Sequence, residues 1–401
     1  MIEINILTII IGAALLLLAV ITPFFNSFFR GRKIRNRELT MENNVNSPLS
    51  VILTPSCHDN HFEENLSLFL NQDYPGDYKV IVVAETGDSS VENVLMRMKG
   101  NPHLYTTFTP ETSRYMSRKK LAITLGVKAA QTEWIILTEA TCRPNSDKWL
   151  STMASHIGES TSMIIGYTNY DNNASQYQRF ERLQTSSYLM CEDVNGEPYR
   201  TESRNIAFRK SEFIRQEGFR GSLQKIRGEY DFIVNKYATN TCDIATEPDS
   251  WLIEQAPTEK EWHNSHLYFL STRKLLKNGG WHRALFNFDT ILLHLNCLCI
   301  LAGLAYATFM MVNHPGESTI NINGFTIPNI QALIIMSAAL SALIITISMR
   351  TIFAKKTMRY FDANVSPWRI VFYEIGVIWH NINYILRYKS ADKNTFTSHK
   401  L

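Results

Sequence analysis

The sequence is poor in charge, has no zinc-type cysteine spacing, and carries a single acid where a paired one would carry chemistry. Charged residues make up 19% of the 401, and the net charge is only +3. So small an excess does not suggest nucleic-acid binding, and so low a charge content fits a chain that lies partly in a membrane. The six cysteines, Cys57, Cys142, Cys191, Cys242, Cys297 and Cys299, form no Cys-x-x-Cys pair, and the last two sit in an apolar run. They read as reduced, small apolar residues, not as zinc ligands or disulfides. The missing acid belongs to WIILTEATCRP, Trp134 to Pro144. A buried strand runs there into a loop holding one carboxylate, Glu139, where a metal or sugar-nucleotide site usually has two.

Long uncharged runs are present. Ile4 to Phe25 carries no charge and is long enough to cross a hydrocarbon core of roughly 30 Å as a helix. Glu3 precedes it, and Arg30, Arg32, Lys33, Arg35 and Arg37 follow it. A cleaved signal peptide wants positive charge before the run and a small-residue cleavage site after it. The pattern is instead that of an uncleaved anchor with its C-terminal side in the cytoplasm. Thr290 to Val312, uncharged apart from His294, and Pro328 to Met349 are two further candidates, and the loop between them has no Lys or Arg. Arg273, Lys274, Lys277 and Arg283 lie before the pair; Arg350, Lys355, Lys356 and Arg359 lie after it. All three spans thus give one topology: N-terminus outside, middle of the chain cytoplasmic, a returning hairpin, and a cytoplasmic tail. Pro367 to Tyr388 is apolar but holds Arg369 and Glu374, and its Trp and Tyr content suits an interfacial helix, with a fourth span as the alternative. Three spans with no charge inside them make a transporter or channel a poor reading.

From Pro48 the pattern changes. LSVILT (Leu49 to Thr54) and YKVIVVAE (Tyr78 to Glu85) read as buried parallel strands. Phe62, Leu66, Phe69 and Leu70 recur at helical spacing between them, a second helix follows Ser89 and Ser90, and a third is expected from about Ser117 to Gln131. The alternation predicts an α/β domain with a mostly parallel sheet, whose ligands bind at the carboxyl ends of the strands. Thr54-Pro55-Ser56, Glu85 and Glu139-Ala140-Thr141 lie at such ends.

These residues carry a resemblance. The run NQDYP before the second strand, the helix KKLAITLGVKAA, and EATCRP resemble the nucleotide-binding half of a family-2 glycosyltransferase with the GT-A fold, a Rossmann-like α/β domain. GYTNY, FERL, RNIAFRKSEF, GEYDFIVNKYA, EW and FLST extend the likeness over about residues 48 to 280. The organisation expected is an anchor (1–29), a basic and polar linker (30–47), the glycosyltransferase-like domain (48–285), a membrane hairpin (286–350), and a cytoplasmic or interfacial tail (351–401).

The resemblance implies transfer of a sugar from a nucleotide diphosphate to an acceptor hydroxyl. That chemistry wants a divalent cation, Mg²⁺ or Mn²⁺, on hard oxygen ligands and an Asp or Glu as general base. At the Asp-x-Asp motif of relatives this chain has Glu139 and Thr141, the candidate metal ligands, and Thr141 offers only a neutral hydroxyl. At the base motif it has Gly228-Glu229-Tyr230-Asp231. Tyr230 aligns with the base, and Glu229 or Asp231 substitutes only if the helix start shifts, since one residue turns a side chain about 100°. At the Gln-x-x-Arg-Trp motif it has Ser265, Tyr268 and Phe269, with His266 beside them as a possible phosphate contact. The implied substrate contacts are Thr54, Glu85 (which would read the nucleobase), Lys120 (with Lys119 beside it), Glu139, Arg204, Asn205, Trp262 and His266. Arg204 and Asn205 fit a structural role as well, and Trp262 a place in the core.

Two functions follow. One is a membrane-anchored transferase that moves a sugar, from a UDP-hexose, to a glycan or lipid-linked acceptor on the cytoplasmic face. The other is a catalytically silent relative that serves as a partner or nucleotide-sensing subunit in glycan assembly. Expected partners are a nucleotide sugar, membrane lipid, the acceptor and other glycan-assembly proteins, and no nucleic acid. The two separate on whether Asp231 or Tyr230 occupies the space Glu139 faces.

Overall fold

The computed structural model describes residues 5–35, 46–55, 61–110, 116–315, 320–322, 325–327 and 329–397. Glu3, Ile4, Arg37, most of the linker, Ser56, Cys57 and Pro328 lie outside them. The chain divides into two compact units, residues 33–282 with 380–401, and residues 1–32 with 283–379.

The first unit holds the α/β domain. Its strands are β1 Leu49–Leu53, β2 Tyr78–Glu85, β3 Leu104–Thr109, β4 Trp134–Leu137, β5 Cys142–Pro144, β6 Met163–Gly166, β7 Thr168–Tyr170, β8 Ile206–Arg209, β9 Cys242–Ala245 and β10 Leu252–Glu254. Seven form one sheet in the order β3-β2-β1-β4-β8-β6-β9, and β5-β10-β7 form a second. β1, β2, β3 and β4 run parallel, whereas β8 runs antiparallel to both β4 and β6. β1, β2 and β4 are apolar on both faces because both are covered, which is why they read as runs and not as alternations.

Alternate residues go to opposite faces. Leu49, Val51 and Leu53 pack with Phe62, Leu66 and Phe69 of the helix Phe62–Leu70 and with Val91 and Leu95 of the helix Ser89–Met98. Ile52 packs on the other side with Ala122, Ile123 and Val127 of the helix Arg118–Ala129. That helix presses closely on the sheet: a Cβ on Gly126 would stand 2.8 Å from Ile52 Cγ2. Ser117 starts it, its hydroxyl accepting from the Lys120 N–H.

The second unit contains most of the long apolar helices. Three helical stretches are long and apolar enough to cross a membrane: Ile6–Phe25, Gly279–Asn313 and Ile330–Tyr360. Small residues line their contacts, as membrane helices require for close approach. Leu15, Ala19, Ile300, Ala339 and Ala342 form one cluster, and the Gly12 Cβ position lies 3.5 Å from Ala338 Cβ. The Asn296 side chain donates to Thr346 Oγ1 across 2.9 Å. Charge does enter these helices. Arg350 is fully buried and bonds Asp289 and, at 2.7 Å, Glu374, while Asn26 donates to Glu374. Glu374 comes from the tail helix Ile370–Ser390.

Candidate functional site

β2, β1 and β4 are parallel neighbours, so Thr54, Glu85 and Glu139 emerge at one edge of the sheet. Strand order reverses between β1 and β4, the topological switch point where such sheets bind ligands. Thr54 Oγ1 is buried there with no hydrogen-bond partner. Glu85 is more open and pairs with Arg118 at 2.7 Å on a well-exposed surface.

Glu139 is the centre of the site. Lys119 Nζ lies 2.5 Å and Arg204 Nε 3.5 Å from its Oε1. Burial alone would raise this carboxyl, but Lys119, Arg204 and Arg227 hold it down at about 2. Arg204 also reaches Glu254, at 4.0 Å, and Glu254 accepts from Arg182 at 2.6 Å. The pairing of β10 with β5 brings Glu254 opposite Cys142, three residues beyond Glu139.

Tyr230 shares this centre. Its ring lies 5.9 Å from Lys119 Nζ and 5.0 Å from the Arg204 guanidinium. Its hydroxyl is buried without a hydrogen-bond partner. Asp231, the next residue, turns elsewhere: it sits 3.7 Å from Arg200 and accepts from the Thr201 N–H. Burial raises its carboxyl to about 6 despite Arg200. Glu229 is buried at the start of the helix Glu229–Tyr237, where Gly228 enters with φ of +93°. The three residues point three ways, as successive positions on a helix must.

The other candidates divide. Lys120 is not at the Glu139 centre: it is fully buried and donates to the carbonyls of Ser222 and Lys225 at 2.5 and 2.6 Å. Burial, the largest influence, lowers its ammonium to about 8. Lys119, one step around the helix, is the lysine that reaches the acid. Asn205 is fully buried and donates to Ser250 O at 2.8 Å, a tie between β8 and the turn before β10. Trp262 and His266 belong to an aromatic box on the helix Glu259–Thr272. Trp262 packs on Tyr177, and His266 stacks on Tyr384 at 4.1 Å. Both His266 ring nitrogens are engaged, by Glu181 Oε1 at 3.1 Å and Trp262 O at 2.8 Å. Phe269 lies under Arg200 at 4.2 Å. Glu229, Asp231 and His266 thus have different direct partners: Asp231 meets Arg200 and the Thr201 N–H, and His266 meets Glu181 and the Trp262 carbonyl. Arg182, Arg200, Glu202 and Glu254 were not singled out from the sequence. They come from separate segments, and only the small sheet and the loop before β8 gather them.

A divalent cation does not fit this centre. It needs several hard oxygen donors free to turn toward it. Both carboxylates, Glu139 and Glu254, are taken by ammonium or guanidinium groups, and Thr141 adds no charge. Among the described residues, one group of acids and histidine has metal-like spacing, Glu192, Glu197 and His282, and it excludes Glu139.

No protein-family model and no curated protein matches the chain by sequence. Solved structures do match. The mannosyltransferase PcManGT from Pyrobaculum calidifontis, in complex with GDP-Man and Mn²⁺, is 15% identical, with a TM-score of 0.51 over 94% of this chain and 99% of that one. The fold is that of a glycosyltransferase. TarS 1-349 from S. aureus, in complex with UDP-GlcNAc, is 12% identical with a TM-score of 0.43 over 86% of this chain and 90% of its own, which adds nothing to that conclusion.

Proposed function

We propose that this chain is a membrane-anchored protein of the family-2, GT-A type that binds a nucleotide sugar, a UDP-hexose, at the β1–β4 edge and does not itself transfer the sugar. It would act as a partner subunit in glycan assembly, with its α/β domain on the cytoplasmic side of the inner membrane and its N-terminus outside. The strand order with an antiparallel β8 and the three apolar helices support the family and the anchoring. The observation that carries the silent reading is Tyr230: a phenol, not a carboxylate, faces Glu139 between Lys119 and Arg204, while Asp231 is turned to Arg200. A phenol whose acidity burial suppresses is no base at neutral pH.

A second reading has its own support. A carboxyl at about 6 is in the range of a general base at neutral pH, so transfer to a glycan or lipid-linked acceptor would use Asp231. Release of UDP from UDP-hexoses by the detergent-purified chain, with lipid present and with Mg²⁺, Mn²⁺ or EDTA, separates the two. The silent reading expects no release above buffer. Release that Asp231→Asn abolishes would overturn it in favour of transfer.

A further inference from the structure

We infer that the Glu139 centre takes a nucleoside diphosphate without a divalent cation, the Lys119 ammonium and the Arg204 guanidinium doing the cation's work. The inference rests on the reading of this edge as a nucleotide site. The argument begins with charge. The diphosphate of a nucleotide sugar carries two negative charges, which must be met by cations wherever it is taken out of water. A site that uses Mg²⁺ or Mn²⁺ supplies acids to hold the metal. Here one such acid, Glu139, holds Lys119 at 2.5 Å and Arg204 at 3.5 Å, and the other position is Thr141. A metal entering would have to displace Lys119 and Arg204 from Glu139, and Arg182 from Glu254.

The cations are placed to be shared. Lys119 remains partly exposed, with 16% of its side chain accessible, on a flexible stem that lets the ammonium swing from carboxylate to phosphate. Arg204 offers a planar fork suited to phosphate oxygens. Arg227 adds positive charge at Glu139. Two further groups are unspent: the Tyr230 hydroxyl, on the ring beside Lys119 and Arg204, and Thr54 Oγ1, at the end of β1 next to β4, each buried with no hydrogen-bond partner. A buried hydroxyl without a partner is costly, and a phosphate or ribose oxygen would satisfy both. These features make an anion site of side chains, and its selectivity comes from a fork and a hydroxyl instead of a metal's coordination shell.

The test is titration calorimetry of the detergent-purified full chain with UDP, GDP and a UDP-hexose, in excess EDTA and again with Mn²⁺. The expected result is one affinity, unchanged within about twofold between the two buffers, with no heat from Mn²⁺ alone. Lys119→Ala should weaken binding by about 10-fold or more, since a charge-assisted hydrogen bond is lost, and Lys119→Arg should retain most of it. Tyr230→Phe, which removes one oxygen and keeps the ring, should weaken it by several-fold and serves where Lys119→Ala fails to fold. Binding that requires Mn²⁺ overturns this inference and leaves the nucleotide reading standing. Binding to Lys119→Ala and Tyr230→Phe as tight as to the wild type also overturns it. No binding of any nucleotide to the wild type overturns the nucleotide reading itself.

Discussion

Replacing Glu139 by Gln should destabilise the α/β domain by about 3 kcal/mol at pH 7. Glu139 titrates near 2 when folded, against an ordinary value of 4.5. That difference of about 2.5 pH units corresponds to about 3 kcal/mol at about 1.36 kcal/mol per unit. Its sign follows from the depression. A carboxyl whose folded value is lowered contributes stability that is present above its unfolded value and lost as pH falls. The contribution is therefore whole above pH 4.5 and drains away toward pH 2. Only 16% of the Lys119 side chain and 19% of the Glu139 side chain are exposed, so solvent screens the pair little. Removing the charge leaves Lys119 and Arg204 facing each other with no anion between them. For a domain of this size, 1 kcal/mol moves the unfolding midpoint by roughly 2–4 °C, so a drop of about 6–12 °C is expected. The assay is intrinsic fluorescence of the detergent-purified chain on heating, wild type against Glu139→Gln. Lys119→Met in the Glu139→Gln background should cost little more, because the two act as a pair. A midpoint for Glu139→Gln within about 1 °C of wild type would refute the reasoning, and so would equal costs for Lys119→Met in the two backgrounds.

Other consequences are as definite. His156 is 4% exposed and is gripped by Asp243 at 2.7 Å and Glu247 at 3.2 Å. Burial would lower it, but those acids raise it to about 9 from 6.5. Its roughly 3 kcal/mol is present below pH 6.5 and lost as pH rises to 9, and His156→Gln should flatten the fall in unfolding midpoint across that window. Lys120→Met should lower the midpoint at pH 7, because the Ser222 and Lys225 carbonyls lose their donor at about 1–3 kcal/mol each. Arg350→Met should cost about 3–5 kcal/mol by leaving Asp289 and Glu374 buried without a cation, read as loss of monodisperse protein in size-exclusion chromatography. Replacing all three by apolar residues should recover it.

Much of the fold was legible in the sequence because the signals are local. The caps and stops around Ser117, Phe62 and Ser89 mark helices within a residue or two of their observed bounds. The apolar runs at Leu49 and Tyr78 mark strands because both their faces are covered. The strand Leu104–Thr109 escaped notice, since its mixed side chains at a sheet edge give no apolar run. The helix Ile370–Ser390 is legible as an apolar run, but the burial of its Glu374 against Arg350 is not. A charge in a sequence does not tell whether a partner twenty or more residues away will meet it.

The site shows the same division more sharply. Chain order alone determined that one acid stands at the end of β4, that a neutral Thr141 follows it, and that Tyr230 lies between Glu229 and Asp231. It could not determine which lysine of the pair reaches Glu139. That depends on the angle at which Gly126 lets its helix settle on Ile52, and one residue is about 100° of turn. Nor could it show that Arg204, Arg182 and Glu254 close around the acid, because β10 pairs with β5 and β7, strands far from it in sequence. The residue types that make a nucleotide site plausible are written in the chain. Whether their charges are left for a metal or spent on one another is decided by side chains distant in sequence, which meet only in the folded domain.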